Sequence, residues 1–237
     1  MSNIISHDNM DSLIPVIAIG PPAVAFLLFA AVLFLKYKKK KDKATMYFML
    51  SFLCIGVGYG GWVVRSAFYP PDADAETVFF WFKFAYTVTA PFCTFLALAA
   101  LEFLKPGVIR KTRNLFLFWI PMIFLEVWTL FSVPTTATIA GQNDAIWSPA
   151  LSLGYVAIGG FYLIIINYVF VWFLMKEKGH RLYTKVMLME AGLILLTLGT
   201  IIESSKIGVG TVESWGLFIR WFTALGALIM LYGYIKR

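Results

Sequence analysis

Seven charged side chains interrupt the long apolar stretches of this sequence, and side chains of this kind can bind a ligand or carry protons. An ionisable group inside a helix that spans lipid costs about 2.5–3.5 kcal/mol on insertion scales, so each one needs a partner or water. Grouped cations and acids can bind a small polar or anionic molecule, whereas an isolated buried acid can take up a proton. The seven residues are Arg65, Lys83, Glu126, Glu190, Glu203, Lys206 and Arg220.

The composition is that of a protein embedded in lipid. Of the 237 residues, 60% are hydrophobic and only 14% are charged, with a mean hydropathy of +0.78, whereas about 25% of the residues in a soluble domain are charged. A helix needs about 20 apolar residues to cross the hydrocarbon core, and lipid requires its backbone groups to pair internally. We therefore predict one all-α domain, a seven-helix membrane bundle, with spans near 13–35, 44–67, 77–104, 114–133, 149–175, 182–205 and 214–235.

The distribution of charge predicts the orientation of these spans. Sixteen of the 20 basic residues fall in 36–43, 105–113, 176–185 and 236–237, which alternate helices place on one side. Positively charged loops stay in the cytoplasm, so we expect the N-terminus outside, the C-terminus inside and a multi-pass protein of the cell membrane. The net charge of +7 then reflects topology and contact with membrane lipids, and indicates no nucleic-acid partner.

This orientation gathers most of the charged residues in the outer half of the bundle. On the third span, Lys83, Thr87, Ala90 and Thr94 recur at helical spacing and form one polar stripe. One interpretation is an outward-facing cavity that binds a small polar or anionic ligand. The alternative is a set of internal ion pairs, Arg65 with Glu203, and Glu126 with Lys83 or Arg220, which hold helices in register. The predicted ligand-binding residues are Arg65, Lys83, Thr87, Glu126, Glu203 and Arg220.

Glu190 lies apart from this group, about two turns from the cytoplasmic end of the sixth span. Two interpretations are open for it. A protonated Glu190 could donate a hydrogen bond to a neighbouring helix, for instance to Asn167. Alternatively, Glu190 could be a proton-coupling acid.

Small residues and prolines shape the predicted helices. Gly56-Val-Gly-Tyr-Gly60-Gly61 forms a face that allows close approach of another helix. Pro91 and the pair Pro21-Pro22 each remove a backbone hydrogen bond and predict kinks. A shift of about 138 residues lays the first three spans over the last three and places Arg65 opposite Glu203, a pattern that would fit a parallel three-plus-one-plus-three repeat.

The motifs of common enzymes are missing from the sequence. His7 and His180 are the only histidines and lie outside the spans, and Cys54 and Cys93 lie in mid-span as packed thiols, so we expect no metal site. Residues 221–235 lack the lysine that a retinal Schiff base requires, and no hydrolase, metalloprotease or phosphate-loop motif occurs. We expect a protein without cofactors that is not an enzyme.

Diffuse motifs run along nearly the whole chain: Phe79-Phe-Trp-Phe-Lys83, Ala90-Pro91, Leu101-Glu-Phe103, Lys105-Pro-Gly, Ile120-Pro121 and Trp147. Together they resemble the seven-transmembrane sensor region of prokaryotic histidine kinases. This resemblance implies a module that senses a signal outside or within the membrane and passes a helix movement inward. Such regions normally continue into a kinase or another output domain, whereas this sequence ends at Arg237, so the resemblance implies a separate signalling partner.

The sequence therefore favours a receptor or sensor that binds a small molecule and acts through a cytoplasmic or membrane partner. A small-solute transporter with the three-plus-one-plus-three architecture is the second interpretation, and a structural subunit of a membrane complex is the third. All three are compatible with a homo-oligomer.

Overall fold

The computed structural model describes residues 7–70, 72–104, 107, 112–139, 142–176, 178–179, 182–205 and 213–236. Within these ranges, side chains are described except at 7–15, 104, 112–114, 137–139, 142–144, 201, 203–205 and 213–218. The elements in chain order are α1 His7–Lys40, α2 Lys43–Phe68, α3 Ala75–Thr89, α4 Pro91–Leu104, α5 Thr112–Phe131, β1 Thr135–Ile139, β2 Gln142–Ile146, α6 Pro149–Lys176, α7 Tyr183–Ser205 and α8 Glu213–Ile235.

Five helical segments are long and apolar enough to cross a membrane: Val16–Lys40, Lys43–Phe68, Ala75–Phe103, Pro149–Lys176 and Tyr183–Thr200. Several large apolar side chains on these and neighbouring helices point outward, including Val24, Phe124 and Ile164, which are 65%, 59% and 70% exposed. Apolar surface of this extent suits lipid contact. The mostly helical structure expected from the sequence is therefore confirmed, and its long apolar helices are compatible with a multi-pass membrane protein.

Two further helices have shorter apolar segments, Leu115–Phe131 and Ile219–Ile235. Helices α5 and α8 as a whole contain 20 and 23 residues. At about 1.5 Å per residue, each reaches the thickness of a hydrocarbon core, about 30 Å. Seven crossings, their orientation and the internal repeat stay predictions.

The helices form a closed ring in chain order. Each helix packs against the next one along the chain, and α8 packs against α1; α4 also contacts α6. Aromatic side chains fill much of the interior between α1, α2 and α4, where the Phe29 and Phe52 rings stack at 4.0 Å and Phe52 meets Phe92 edge-on at 6.2 Å. The core thus lies along the axis of the ring, and polar groups that face it must find partners there.

The third predicted span is divided, as Pro91 predicted. Helix α3 ends at Thr89, the Ala90 N–H still donates to the Tyr86 carbonyl at 2.9 Å, and α4 begins at Pro91. Proline has no N–H to donate, so the hydrogen-bond ladder stops there. In contrast, α1 continues as a helix through Pro21 and Pro22.

A short β-hairpin lies between α5 and α6 in the otherwise helical fold, which agrees with the all-α expectation. Strands β1 and β2 pair antiparallel, with Thr135 opposite Ile146 and Ile139 opposite Gln142, and β2 packs against α3. The hairpin therefore lies at the end of the bundle where α3 begins, which we call the hairpin end. Asp74 caps α3 at this end by accepting the Thr77 N–H at 2.9 Å, and this hydrogen bond holds the pKa of Asp74 below its usual value.

Glycines allow three pairs of helices to approach closely. A Cβ on Gly56 would meet Leu27 of α1, and one on Gly58 would meet Thr89 and the Ala85 carbonyl of α3, which confirms the small-residue face of α2. Gly192 of α7 and Gly226 of α8 bring the two backbones themselves together. Helices α7 and α8 are consequently in close backbone contact at these two glycines.

Replacement of Gly226 by Ala tests this packing. The new Cβ would lie 2.6 Å from the Gly192 carbonyl and 2.9 Å from the Leu196 amide nitrogen, and backbone atoms cannot rotate away. We expect a loss of about 1–3 kcal/mol in the free energy of unfolding, measured by SDS titration in mixed micelles. The control is Gly60→Ala, where nothing lies within 4 Å; an equal loss in both variants would contradict the packing account.

Candidate functional site

Lys83 of α3 caps the end of α5. Its Nζ donates to the Leu130 carbonyl at 3.1 Å, one residue before α5 ends at Phe131. The last four carbonyls of a helix have no partner within the helix, and the helix dipole favours a cation there. The predicted pairing of Lys83 with Glu126 is wrong, because Lys83 reaches one turn further along α5.

Glu126 faces the interior of the bundle without a hydrogen-bond partner. The residue is near enough to Cys54 of α2 and Tyr155 of α6 to interact electrostatically with both. Both carboxylate oxygens are buried, and neither is hydrogen-bonded to any residue that the structure describes. The expected pairing of Glu126 with Lys83 or Arg220 is therefore not formed. An unsatisfied buried group of this kind costs about 1–3 kcal/mol.

Tyr155, which is near Glu126, belongs to a group of packed aromatic rings. The Tyr155 ring packs against Tyr86 at 5.1 Å, Tyr86 packs against Trp147 at 5.6 Å, and Trp147 meets Phe82 at 4.7 Å. We call these four residues, Phe82, Tyr86, Trp147 and Tyr155, the aromatic cluster. Trp147 directly follows β2 and is only 4% exposed, so the hairpin brings this ring into the cluster.

Two more polar atoms at this end are buried and lack partners in the described part of the chain: Thr87 Oγ1 and Trp147 Nε1. The Tyr155 hydroxyl is satisfied, since it shares a hydrogen bond of 2.6 Å with Thr129 Oγ1, and the Thr129 hydroxyl also donates to the Leu125 carbonyl. Buried polar atoms are normally paired. Thr87 on α3, Glu126 on α5 and Trp147 after β2 thus each have a buried polar atom without a partner among the described residues. We therefore take this region as a candidate binding site.

The two arginines predicted for the site lie elsewhere or are already engaged. Arg65, in the last turn of α2, is only 3% exposed and interacts with another residue. Arg220 also has a partner, and it lies on α8, which packs against α1 and α7. Arg220 therefore belongs to a different wall of the bundle from Glu126. The side chains of Glu203 and Lys206 lie outside the described residues, so the predicted Arg65–Glu203 pair stays a prediction.

Glu190 of α7 is 5% exposed, and both of its oxygens lack a partner among the residues described. Asn167, the expected partner, instead donates its amide nitrogen to the Leu163 carbonyl at 2.6 Å and lies 3.5 Å from Thr197 Oγ1. The predicted hydrogen bond between Glu190 and Asn167 is wrong. A proton-coupling role for Glu190 stays a prediction.

Sequence reasoning missed the aromatic cluster and Thr129. Trp147 was part of the family resemblance, but its burial depends on a hairpin that the apolar pattern does not reveal. Metal binding has no obvious place in the described residues, since no group of three or more His, Cys, Asp or Glu side chains is found among them.

Replacement of Lys83 tests the contact between α3 and α5. Lys83→Met removes the donor to the Leu130 carbonyl and should lower the free energy of unfolding by about 0.5–1 kcal/mol. Lys83→Arg retains a cationic donor and should lose less. Equal stability of Lys83→Met and the unchanged protein in SDS titration would show that the hydrogen bond from Lys83 to α5 contributes nothing to the free energy of unfolding.

Glu190 offers a second stability test. Glu190→Met removes an unsatisfied buried carboxyl group and should raise the free energy of unfolding by about 1–3 kcal/mol, whereas Glu190→Gln leaves a polar group in place and should change it little. Thermal unfolding in detergent followed by circular dichroism measures both. A loss of stability in Glu190→Met with none in Glu190→Gln would reveal a hydrogen-bond partner.

No protein-family model matches the chain, and comparison with curated proteins gives no significant match.

Proposed function

We propose that this chain is a receptor-type membrane sensor, with its N-terminus outside and its C-terminus in the cytoplasm, that binds a small polar ligand at the hairpin end. The observation that carries this proposal is the buried, unpaired carboxylate of Glu126 beside the aromatic cluster. Thr87 and Trp147 add a hydroxyl and an indole N–H that also lack partners in the described part of the chain.

The chemistry of these groups favours a ligand that donates hydrogen bonds over the anionic ligand considered from the sequence. Lys83 is bound to the Leu130 carbonyl, so this cation has less capacity for an anion. A carboxylate beside aromatic rings suits an organic ammonium group, because the faces of such rings attract cations. We therefore propose a small amine as the ligand class.

Signal transfer would use the break in the third span. A ligand bound between α3 and α5 would displace α3. The interruption of the helix at Ala90 would allow α3 to move relative to α4. Helix α4 runs on toward Glu102 and Phe103 at the opposite end, where the lysine-rich ends of other helices meet. A cytoplasmic or membrane partner would read the movement there.

Fully buried apolar side chains in the middle of the bundle support sensing over transport. Leu96 of α4 and Leu193 and Leu196 of α7 have no exposed surface. A transporter would need to open this layer toward each side in turn. The three-plus-one-plus-three transporter is therefore the less supported proposal.

A thermal-shift titration with small amines tests the proposed site. The purified chain in detergent is titrated with choline, ethanolamine and putrescine, and the Tm is compared with that of Glu126→Gln. A bound ligand stabilises the native state by mass action, so we expect at least one amine to raise the Tm of the unchanged protein. The Glu126→Gln variant should need about a tenfold higher concentration of that amine for the same increase in Tm.

The matched control is Glu190→Gln, which makes the same change at another buried and unpaired glutamate. This variant should respond to the amine like the unchanged protein. A Tm increase that is undiminished in Glu126→Gln, or no increase with any of the three amines, would contradict the proposal.

A further inference from the structure

A cavity of about 280 Å³ lies at the end of the bundle opposite the hairpin. Five helices contribute to its wall: the end of α1, the start of α2, the end of α4, the start of α7 and the end of α8. We call this end the lysine end, because Lys36, Lys40 and Lys185 all line the cavity.

These three lysines carry like charges at short range. Lys36 is close enough to both Lys40 and Lys185 to be repelled by them. Its Nζ also donates to the Tyr234 carbonyl at 3.3 Å and lies 3.7 Å from the centre of the Tyr234 ring. No hydrogen bond or ion pair of the Lys40 or Lys185 side chain occurs within the described ranges, so both ammonium groups retain their donors.

The two acids in the wall are occupied by backbone N–H groups. Asp42 caps α2, accepting from Ala44 N at 3.3 Å and Thr45 N at 3.0 Å as well as from the Thr45 hydroxyl. Glu102 accepts the Gly107 N–H at 3.1 Å. The Asp42 carboxylate thus caps a helix, and the Glu102 carboxylate caps a turn. The wall of the cavity contains three ammonium groups and two carboxylates, so the ammonium groups are in excess by one.

We propose that this cavity binds a phosphate group, carried either by an anionic phospholipid head group or by a soluble phosphate ester. Phosphate oxygens accept several charge-assisted hydrogen bonds at once, and here the donors come from α1 and α7, which a single phosphate could bridge. Basic pockets between membrane helices at the cytoplasmic side favour such head groups. Phe103 and Met189 in the same wall provide apolar contact for the atoms attached to the phosphate.

Bound phosphate would also relieve the repulsion among the three lysines. The ends of α1, α7 and α8 would then be held together more firmly, since Lys36 already joins α1 to α8 through Tyr234. The site is independent of the ligand proposed for the hairpin end, because it lies at the other end of the bundle and shares no residue with it.

The test measures binding of two probes to the purified full chain in detergent, one being inorganic phosphate and the other dihexanoyl phosphatidylglycerol. The affinities are compared with those of the double variant Lys40→Gln/Lys185→Gln. Each lysine near an anionic group contributes about 1 kcal/mol, so the double variant should bind roughly 30-fold more weakly. The matched control, Lys39→Gln, removes an exposed lysine next to Lys40 that does not line the cavity, and should retain the affinity within about twofold.

The two probes distinguish the source of the phosphate. Variant-sensitive binding of phosphatidylglycerol alone supports a lipid head group, and variant-sensitive binding of inorganic phosphate supports a soluble ester. Absence of binding of both probes, or equal affinity of the double variant, would overturn the proposal.

Lysine acetylation of the unchanged protein gives a second measurement that needs no variant. The bound probe should slow acetylation of Lys40 and Lys185, but not of Lys39, as followed by mass spectrometry. Equal protection of all three lysines would indicate general charge screening and would also overturn the proposal.

Discussion

Lipid offers no hydrogen bonds, so every polar group within the bundle must find its partner in the protein. This constraint explains several contacts that look unrelated in the sequence. Lys83 of α3 donates a hydrogen bond to a carbonyl in the last turn of α5. Asn167 and Thr129 each donate to a carbonyl of their own helix, and the Thr129 hydroxyl is also hydrogen-bonded to the Tyr155 hydroxyl. Against this background, the carboxyl groups of Glu126 and Glu190, which have no partner among the described residues, are exceptions, and buried acids of this kind are candidates for a functional role.

The two ends of the bundle differ in both chemistry and mechanics. The hairpin end has a buried acid near aromatic rings, whereas the lysine end has a cavity of about 280 Å³ whose wall includes three ammonium groups. Helices α7 and α8 touch through Gly192 and Gly226 and form a stiff pair, because backbone contacts leave no side chain to adjust. The span formed by α3 and α4 is interrupted at Ala90, where the missing proline N–H breaks the hydrogen-bond ladder.

The sequence predicted those features that depend on local chemistry. Helix positions follow from the length of apolar runs, and the break before Pro91 follows from the missing N–H, so both agree with the structure. The partners of the charged residues were predicted poorly, because a shift of one turn decides whether Lys83 reaches Glu126 or the Leu130 carbonyl. The burial of Trp147 was missed for a similar reason: it depends on a hairpin of two five-residue strands, too short to stand out from an apolar background.

The central claim is that the hairpin end faces outward and the lysine end faces the cytoplasm. Single-cysteine labelling tests it most directly, in a background where Cys54 and Cys93 are replaced by Ala. Asp72 and Lys39 are both exposed and lie in or beside the connections at opposite ends. A membrane-impermeant maleimide should label the Asp72→Cys variant in intact cells, and the Lys39→Cys variant only after permeabilisation. Labelling of Lys39→Cys in intact cells with protection of Asp72→Cys, or equal labelling of both, would contradict the account.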